Sequence, residues 1–366
     1  MVFLTEFKRI DRILGMFGFK LYISTRFYRA LNFFVRIIGL MIYCSIMVTY
    51  FMNKAHSDII LTSWFVSKYV LLIVSHNLFW WKSKSLLDIT EDLRESASRI
   101  KEQSQTSRWS KNLVILWIFV TLLAFLIALY KSVGWIINDN VNITEDFVIR
   151  IASAVGYDFI VILLTYGWLF ATVIYYLFVT SAVHDVIFYM RKTYVETFLQ
   201  EEDKVSTLQE FKWMRQSIQS IQTKLNAHFG LILLAWLLII VVEICWLMVI
   251  ADHIFEDYFE SFFVLLTHDI LYIIMTIGAL GIAIQAYRYE KRATCLMLSH
   301  LKTWPEDTHE LVKEKTRLAA HIGLRPAIGP KIANVVPINI YTTLLFAVLI
   351  LGSAILIQTL DSHLLE

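Results

Sequence analysis

Residues 338–360 read INIYTTLLFAVLILGSAILIQTL, a stretch with no charged side chain. As an α-helix at 1.5 Å per residue it covers about 35 Å, enough for the roughly 30 Å of hydrocarbon in a bilayer. The one strongly polar side chain in its last two turns is Gln358. Working back through the chain, six more stretches are apolar enough to cross: about 33–52, 59–81, 112–130, 153–178, 229–250 and 262–286. The first two carry Arg36 and Lys68, which must snorkel to an interface or face other helices. Lipid offers no partners to free backbone groups, so the spans are read as helices.

The composition agrees. Of 366 residues, 57% are apolar and 17% charged, against roughly 45–50% and 25% in soluble domains. The formal net charge is +2, and no basic patch marks a nucleic-acid surface. Cys44, Cys245 and Cys295 form no CxxC pair, so neither a disulfide framework nor a metal site is expected. The opening MVFLTEFKRIDRILGMFGFK lacks an unbroken apolar core, and no cleavable signal peptide is read there.

Orientation follows from charge. Of the 33 Lys and Arg residues, 28 lie in the N-terminus and in segments 82–111, 191–226 and 288–336, all on one side of the seven spans. The other side holds only Lys54, Lys131 and Arg150. Basic residues stay cytoplasmic, so the N-terminus is expected inside and the C-terminus outside. The sequon Asn142-Ile143-Thr144 falls on the expected outer side as a candidate glycosylation site, and the outer loop DHIFEDYFES is acidic.

The inner segments (about 82–111, 180–226 and 288–336) carry helical patterning. In LLDITEDLRESASRIKEQ, Leu87, Ile89, Leu93 and Ile100 give an amphipathic reading. Between 205 and 225, Leu208, Phe211, Met214, Ile218, Ile221 and Leu225 recur at spacings of three and four and run into the fifth span. From Phe147 to Met190 there is no proline and no hairpin signal, so one span continuing into the cytoplasm is expected. Long inner helices would pack as a bundle; lying on the membrane surface is the other reading. All four prolines fall in the last quarter, and GLRPAIGPKIANVVP, residues 323–337, breaks the chain between HELVKEKTRLAAHI and the last span. The fold class is all-α, with seven membrane helices and a broken last helix.

Seven spans with the N-terminus inside, long helices extended into the cytoplasm and a broken final helix resemble the insect chemoreceptor superfamily, the gustatory branch most closely. The C-terminal signature of that family is Thr-Tyr, five apolar residues, then Gln-Phe. Here VVPINIYTTLLF resembles its lead-in and LGSAILIQTL occupies the signature slot, with Gln358 matching the glutamine. Leu351-Gly352 stands for Thr-Tyr and Thr359 for Phe, so the chain is read as a divergent gustatory-receptor-like member. The resemblance implies a multi-pass plasma-membrane receptor that is itself a ligand-gated cation channel, a homo- or heterotetramer around one pore lined by the last helix. Carried over, Gln358 and Thr359 face the pore near its outer mouth, beside Leu356 and Ile357, which close it by dewetting. The plainer alternative is a glutamine that reaches interfacial water.

Ionisable groups inside the spans are Asp158, Glu243, His268 and Asp269. The family's small-molecule pocket opens to the outer half of the bundle. Asp158, His268 and Asp269, with Trp117, Tyr157, Trp168, Trp236 and Tyr272, suit a small polar ligand there. Mutual pairing between helices is the alternative, favoured for Glu243; His184-Asp185 is read as structural. No HExxH or other catalytic motif is present, so neither an enzyme nor a cofactor is expected. A secondary transporter is the runner-up, although such folds show two similar halves and helices broken at mid-membrane.

Overall fold

The computed structural model describes residues 2–17, 19, 26–54, 59–81, 83–99, 106–138, 145–163, 167–198, 203–254, 259–303, 308–333 and 335–339, with positions 341, 342, 345, 348, 349, 352, 355, 356 and 359. Among them the helices are α1 (Val2–Met16), α2 (Arg26–Lys54), α3 (Ile59–Trp81), α4 (Ser83–Arg99), α5 (Thr106–Asn138), α6 (Glu145–Ile162), α7 (Trp168–Met190), α8 (Lys204–Ile254), α9 (Phe259–Thr303) and α10 (His309–Leu324). A short antiparallel hairpin, β1 (Lys331–Ile332) and β2 (Val336–Pro337), follows α10. The described positions at 341–359 are helical where an element is assigned, which makes a last helical segment.

α8, with 51 residues, and α9, with 45, are the longest. At 1.5 Å per residue they reach about 77 and 68 Å, well beyond the roughly 40–45 Å of a whole bilayer. They therefore serve two environments. The stripe read along the first part of α8 is the buried one: Leu208, Phe211, Met214, Ile218, Ile221 and Leu225 are all core residues. On α4 the buried stripe runs through Leu86, Ile89 and Leu93, one position off Leu87.

α7 is the central post. It is apolar all round, and all of its side chains but His184 and Phe188 are buried. A helix without a polar face is one surrounded by protein or lipid; this one packs against α1, α4, α5, α8 and α9. The stretch expected as one helix over 147–190 carries α6 and α7, with residues 164–166 between them outside the described residues. α6 ends at Ile162, Leu163 and Gly167 lie in wide π-type turns, and α7 begins at Trp168. The glycine answers to a close approach: a Cβ at Gly167 would lie 3.2 Å from Cζ of Phe17 and 3.0 Å from Cδ1 of Leu163. α7 then widens into a π-helical turn, Arg191–Glu196.

Polar straps hold α4 to α8. Ser85 Oγ lies 2.8 Å from His228 Nδ1, Lys224 Nζ 2.6 Å from Asp92 Oδ2, and Ser96 Oγ 2.7 Å from Ser217 Oγ. Outward, α2, α5, α9 and the last segment expose apolar side chains, among them Phe34, Met41, Ile118, Leu122, Ile274 and Ile277. Bands of this kind mark a lipid or protein contact, and five described helices are long and apolar enough to cross a membrane.

Candidate functional site

Two polar centres stand out in the interior. The first joins α3 and α8, where Lys68 Nζ and Glu243 Oε1 form an ion pair between side chains that are almost wholly buried. In surroundings that lack water an isolated charge is costly, so each group is tolerable because of the other. Glu243 is thus charge-paired between helices, and Lys68 faces inward instead of snorkelling. Tyr69 beside the pair contacts Tyr43, with ring centroids 6.3 Å apart. Arg36, the other basic residue of the early spans, bonds Asn32 O at 3.2 Å and stacks its guanidinium 4.5 Å over Trp80.

The aromatic residues singled out in the sequence fall in two places. Trp117 meets Phe17 edge-on at 5.6 Å, and Trp168 lies against His76 at 4.9 Å and Phe19 at 6.1 Å. These form a socket for Phe17 and Phe19, which follow α1. Tyr272 packs edge-on to Phe170 at 6.1 Å, and its hydroxyl donates to Trp236 O at 3.5 Å. On α6, Tyr157 is 66% exposed and Asp158 is partly buried. His268 and Asp269 belong to α9, but their side chains lie outside the described residues, as do Asn142, Ile357 and Gln358 entirely. Leu356 is 62% exposed, and the exposed Thr359 returns its hydroxyl to Ile355 O at 2.7 Å. His184 and Asp185 sit 3.6 Å apart, with the His184 ring edge-on to Tyr289.

The second centre is where α8, α9 and α10 meet the proline-rich linker. Arg215 and Glu290 are both fully buried, with Arg215 Nε 3.7 Å from Glu290 Oε1. Arg215 Nη1 is 3.1 Å from His321 Nδ1, and Nη2 donates to Arg325 O. Gln219 Nε2 donates to Arg325 O at 3.0 Å and to Pro326 O at 3.2 Å. Burial pushes the Glu290 carboxyl up to about 7, against the opposing pull of Arg215 and then of the Gln219 amide. Burial also lowers Arg215, opposed by Glu290. His321 is lowered by burial, then by Arg215, Arg325 and Lys212. Beside this centre a cleft of about 710 Å³ is lined by Gln216, Gln219, Ser220, Lys224, Arg325 and Pro326 among others.

A model of the family described as 7tm chemosensory receptor matches residues 9–318. The chain belongs to the 7tm chemosensory receptor family. No curated protein matches it. Among solved structures it is similar to the insect olfactory receptor OR5 from Machilis hrabei at 12% identity, with 96% of each chain covered and a TM-score of 0.65. The same receptor in complex with eugenol gives 12% identity, 96% of this chain, 97% of that one and a TM-score of 0.67. These likenesses give the fold.

As a chemosensory receptor the chain is a multi-pass membrane protein and not an enzyme. The receptor's buried Arg215 centre is absent from the sequence reading. Its signal was present in part. Arg215 directly follows Met214 of the apolar stripe, and a charge beside a buried stripe must find a partner from another element. The partner's identity, 75 positions later in the chain, had no local trace.

Proposed function

We propose that this receptor is gustatory-receptor-like and works as a ligand-gated cation channel of the plasma membrane, with four like or related subunits around one pore. The observation that carries this reading is the outward face of the last helical segment. Tyr341, Leu345, Val348, Ile355 and Leu356 are each more than half exposed and recur along it. A row of that length on the segment that also bears Gln358 fits a helix that shares its environment with copies of itself around an axis. Gln358 and Thr359 then ring the outer mouth, and Leu356 and Ile357 form the apolar narrowing that closes by dewetting. The seven spans keep the boundaries read from the sequence, with the N-terminus and the long inner helices cytoplasmic and Asn142 available for glycosylation outside.

The OR5 complex with eugenol supports a small-molecule ligand. In this reading Tyr157 and Asp158 on α6 and His268, Asp269 and Tyr272 on α9 line the ligand chamber, and Trp117 and Trp168 close it towards Phe17 and Phe19.

Replacing Gln358 with Leu makes the narrowing wholly apolar and is expected to abolish cation current while surface expression stays normal. Gln358→Glu is expected to strengthen block by divalent cations from outside, because a ring of carboxylates holds them more tightly. Patch recording from cells expressing each variant, driven by agonist or basal activity, reads both effects. Current, selectivity and block unchanged in both variants remove Gln358 from the pore. Saturating, slow transport without unitary currents would favour a transporter instead.

Orientation has its own measurement. A C-terminal tag should stain in intact cells and an N-terminal tag only after permeabilisation; the reverse pattern overturns the orientation read from basic residues.

A further inference from the structure

The linker between α10 and the last helical segment is fastened to α8 at four successive places. Arg215 and Gln219 donate to the carbonyls of Arg325 and Pro326. Asn226 donates to Gly329 O at 2.9 Å and accepts from Lys331 N at 3.0 Å. Ala333 N donates to Gly230 O at 2.8 Å. Residues 215, 219, 226 and 230 follow spacings of four, seven and four, so they share one face of α8. The two chains run in the same direction. From 215 to 230 the helix rises about 22 Å, and the linker from 325 to 333, which would reach about 26 Å if fully extended, runs alongside it between the same anchors.

The composition of the linker suits this arrangement. Pro326 and Pro330 offer carbonyls and no N–H, and the side chains of α8 supply the donors. Ile338 N closes the hairpin onto Pro330 O at 2.8 Å, and Ala333 makes its turn at φ 50°, a left-handed conformation uncommon outside glycine. Gly329 lies flat on the Tyr287 ring of α9, where a Cβ would sit 3.2 Å from Cγ.

We infer that Arg215, Glu290 and His321 are positioning residues that make this clamp proton-sensitive, so that the hold of α8 on the path into the last helix varies with cytoplasmic pH. Arg215 reaches the linker through its guanidinium edge while its Nε faces Glu290 and its Nη1 faces His321. The groups around Glu290 are Arg215 and Gln219 from α8; His321 and Arg325 come from α10 and its end, and Lys212 faces His321. From α7, the His184–Asp185 pair meets α9 at the neighbouring Tyr289.

The signs oppose one another. Glu290 is held near 7 in the closed clamp and returns to about 4.5 when the linker lifts and water enters. A proton therefore favours the closed clamp, and that contribution is lost as pH rises through about 7. For His321 the closed clamp depresses protonation, because the ring nitrogen accepts from Arg215 and three cations surround it. Its contribution is lost as pH falls below about 6.5. Below about 6.5 the two contributions change with pH in opposite senses and offset each other, so that removing His321 exposes the dependence due to Glu290.

The experiment is hydrogen exchange of the linker amides in the full-length receptor in lipid nanodiscs, corrected for intrinsic rates. His321→Gln keeps an acceptor for Arg215 and removes one titration. In that variant exchange over residues 327–338 is expected to be about tenfold slower at pH 6 than at pH 8, as one proton bound with a pKa near 7 requires. Adding Glu290→Gln is expected to leave slow exchange at both pH values. No slope in His321→Gln, or a slope that persists in the double variant, overturns the inference. The single variant decides it even where the double variant does not reach the membrane. The effect on current rests on the proposed pore, whereas the exchange does not. An intact exchange slope with current indifferent to internal pH supports the clamp and counts against the last helix as the pore.

Discussion

Glu243→Gln, made alone, is expected to destabilise the receptor by about 3–5 kcal/mol, the cost of leaving one member of a buried ion pair without its counter-charge. Lys68 has nowhere to go. It is 3% exposed within the α3–α8 contact, and Glu243 is 1% exposed. Lys68→Met alone should cost a similar amount by stranding the carboxylate. The double variant Lys68→Met/Glu243→Leu replaces both charges with apolar groups of similar volume and is expected to recover most of the loss. Thermal unfolding of detergent-solubilised protein, followed by the monodisperse fraction on size exclusion, reads all three. If the double variant is as damaged as either single one, the pair does more than neutralise itself, and a ligand or ion contact at these residues becomes the better explanation.

Phe229→Ala is the second large effect, expected at about 3–5 kcal/mol for a fully buried aromatic ring. Phe229 lies on α8 four residues beyond Leu225, the last residue of the buried stripe. Its ring is 4.7 Å from Tyr176, 4.8 Å from His228, 6.0 Å from Trp236 and 6.1 Å from Phe79. These neighbours belong to α3, α7 and α8, so no single side-chain shift fills the space left behind. The same thermal assay is expected to show a loss comparable to that of Glu243→Gln, while Phe229→Leu retains most of the packing. An Ala variant with unchanged thermal stability would mean that the three helices close up around the gap.

The apolar runs and their periodicity were legible because each was long and repeated. The stripe on α8 appeared in the sequence at the residues that are buried, and the proline cluster marked the linker. Two other features were not legible. The close approach of Phe17 to Gly167 joins residues 150 positions apart, which no local pattern encodes. The α3–α8 ion pair was half visible, since Lys68 and Glu243 each read as a charge in an apolar run, but nothing in the sequence paired them. For the proposed ligand residues, residue type suggested aromatic walls and acids. Trp117 and Trp168 turned towards Phe17 and Phe19, which follow α1, an arrangement set by tertiary packing.

Glu243 and Arg215 stand on the same unbroken helix, 28 residues apart, which is about 42 Å along its axis. A stiff rod that is gripped at one end and loaded at the other is a lever. A tilt of one degree pivoting at the α3–α8 ion pair carries the Arg215 anchor sideways by about 0.7 Å over that length. A few degrees move it by more than the tolerance of the hydrogen bonds that hold the linker. Tilt of α8 about the ion pair is thus a geometric route, opposed by the straps to α4, from helix packing at that end to the stretch of chain that leads into the last helix.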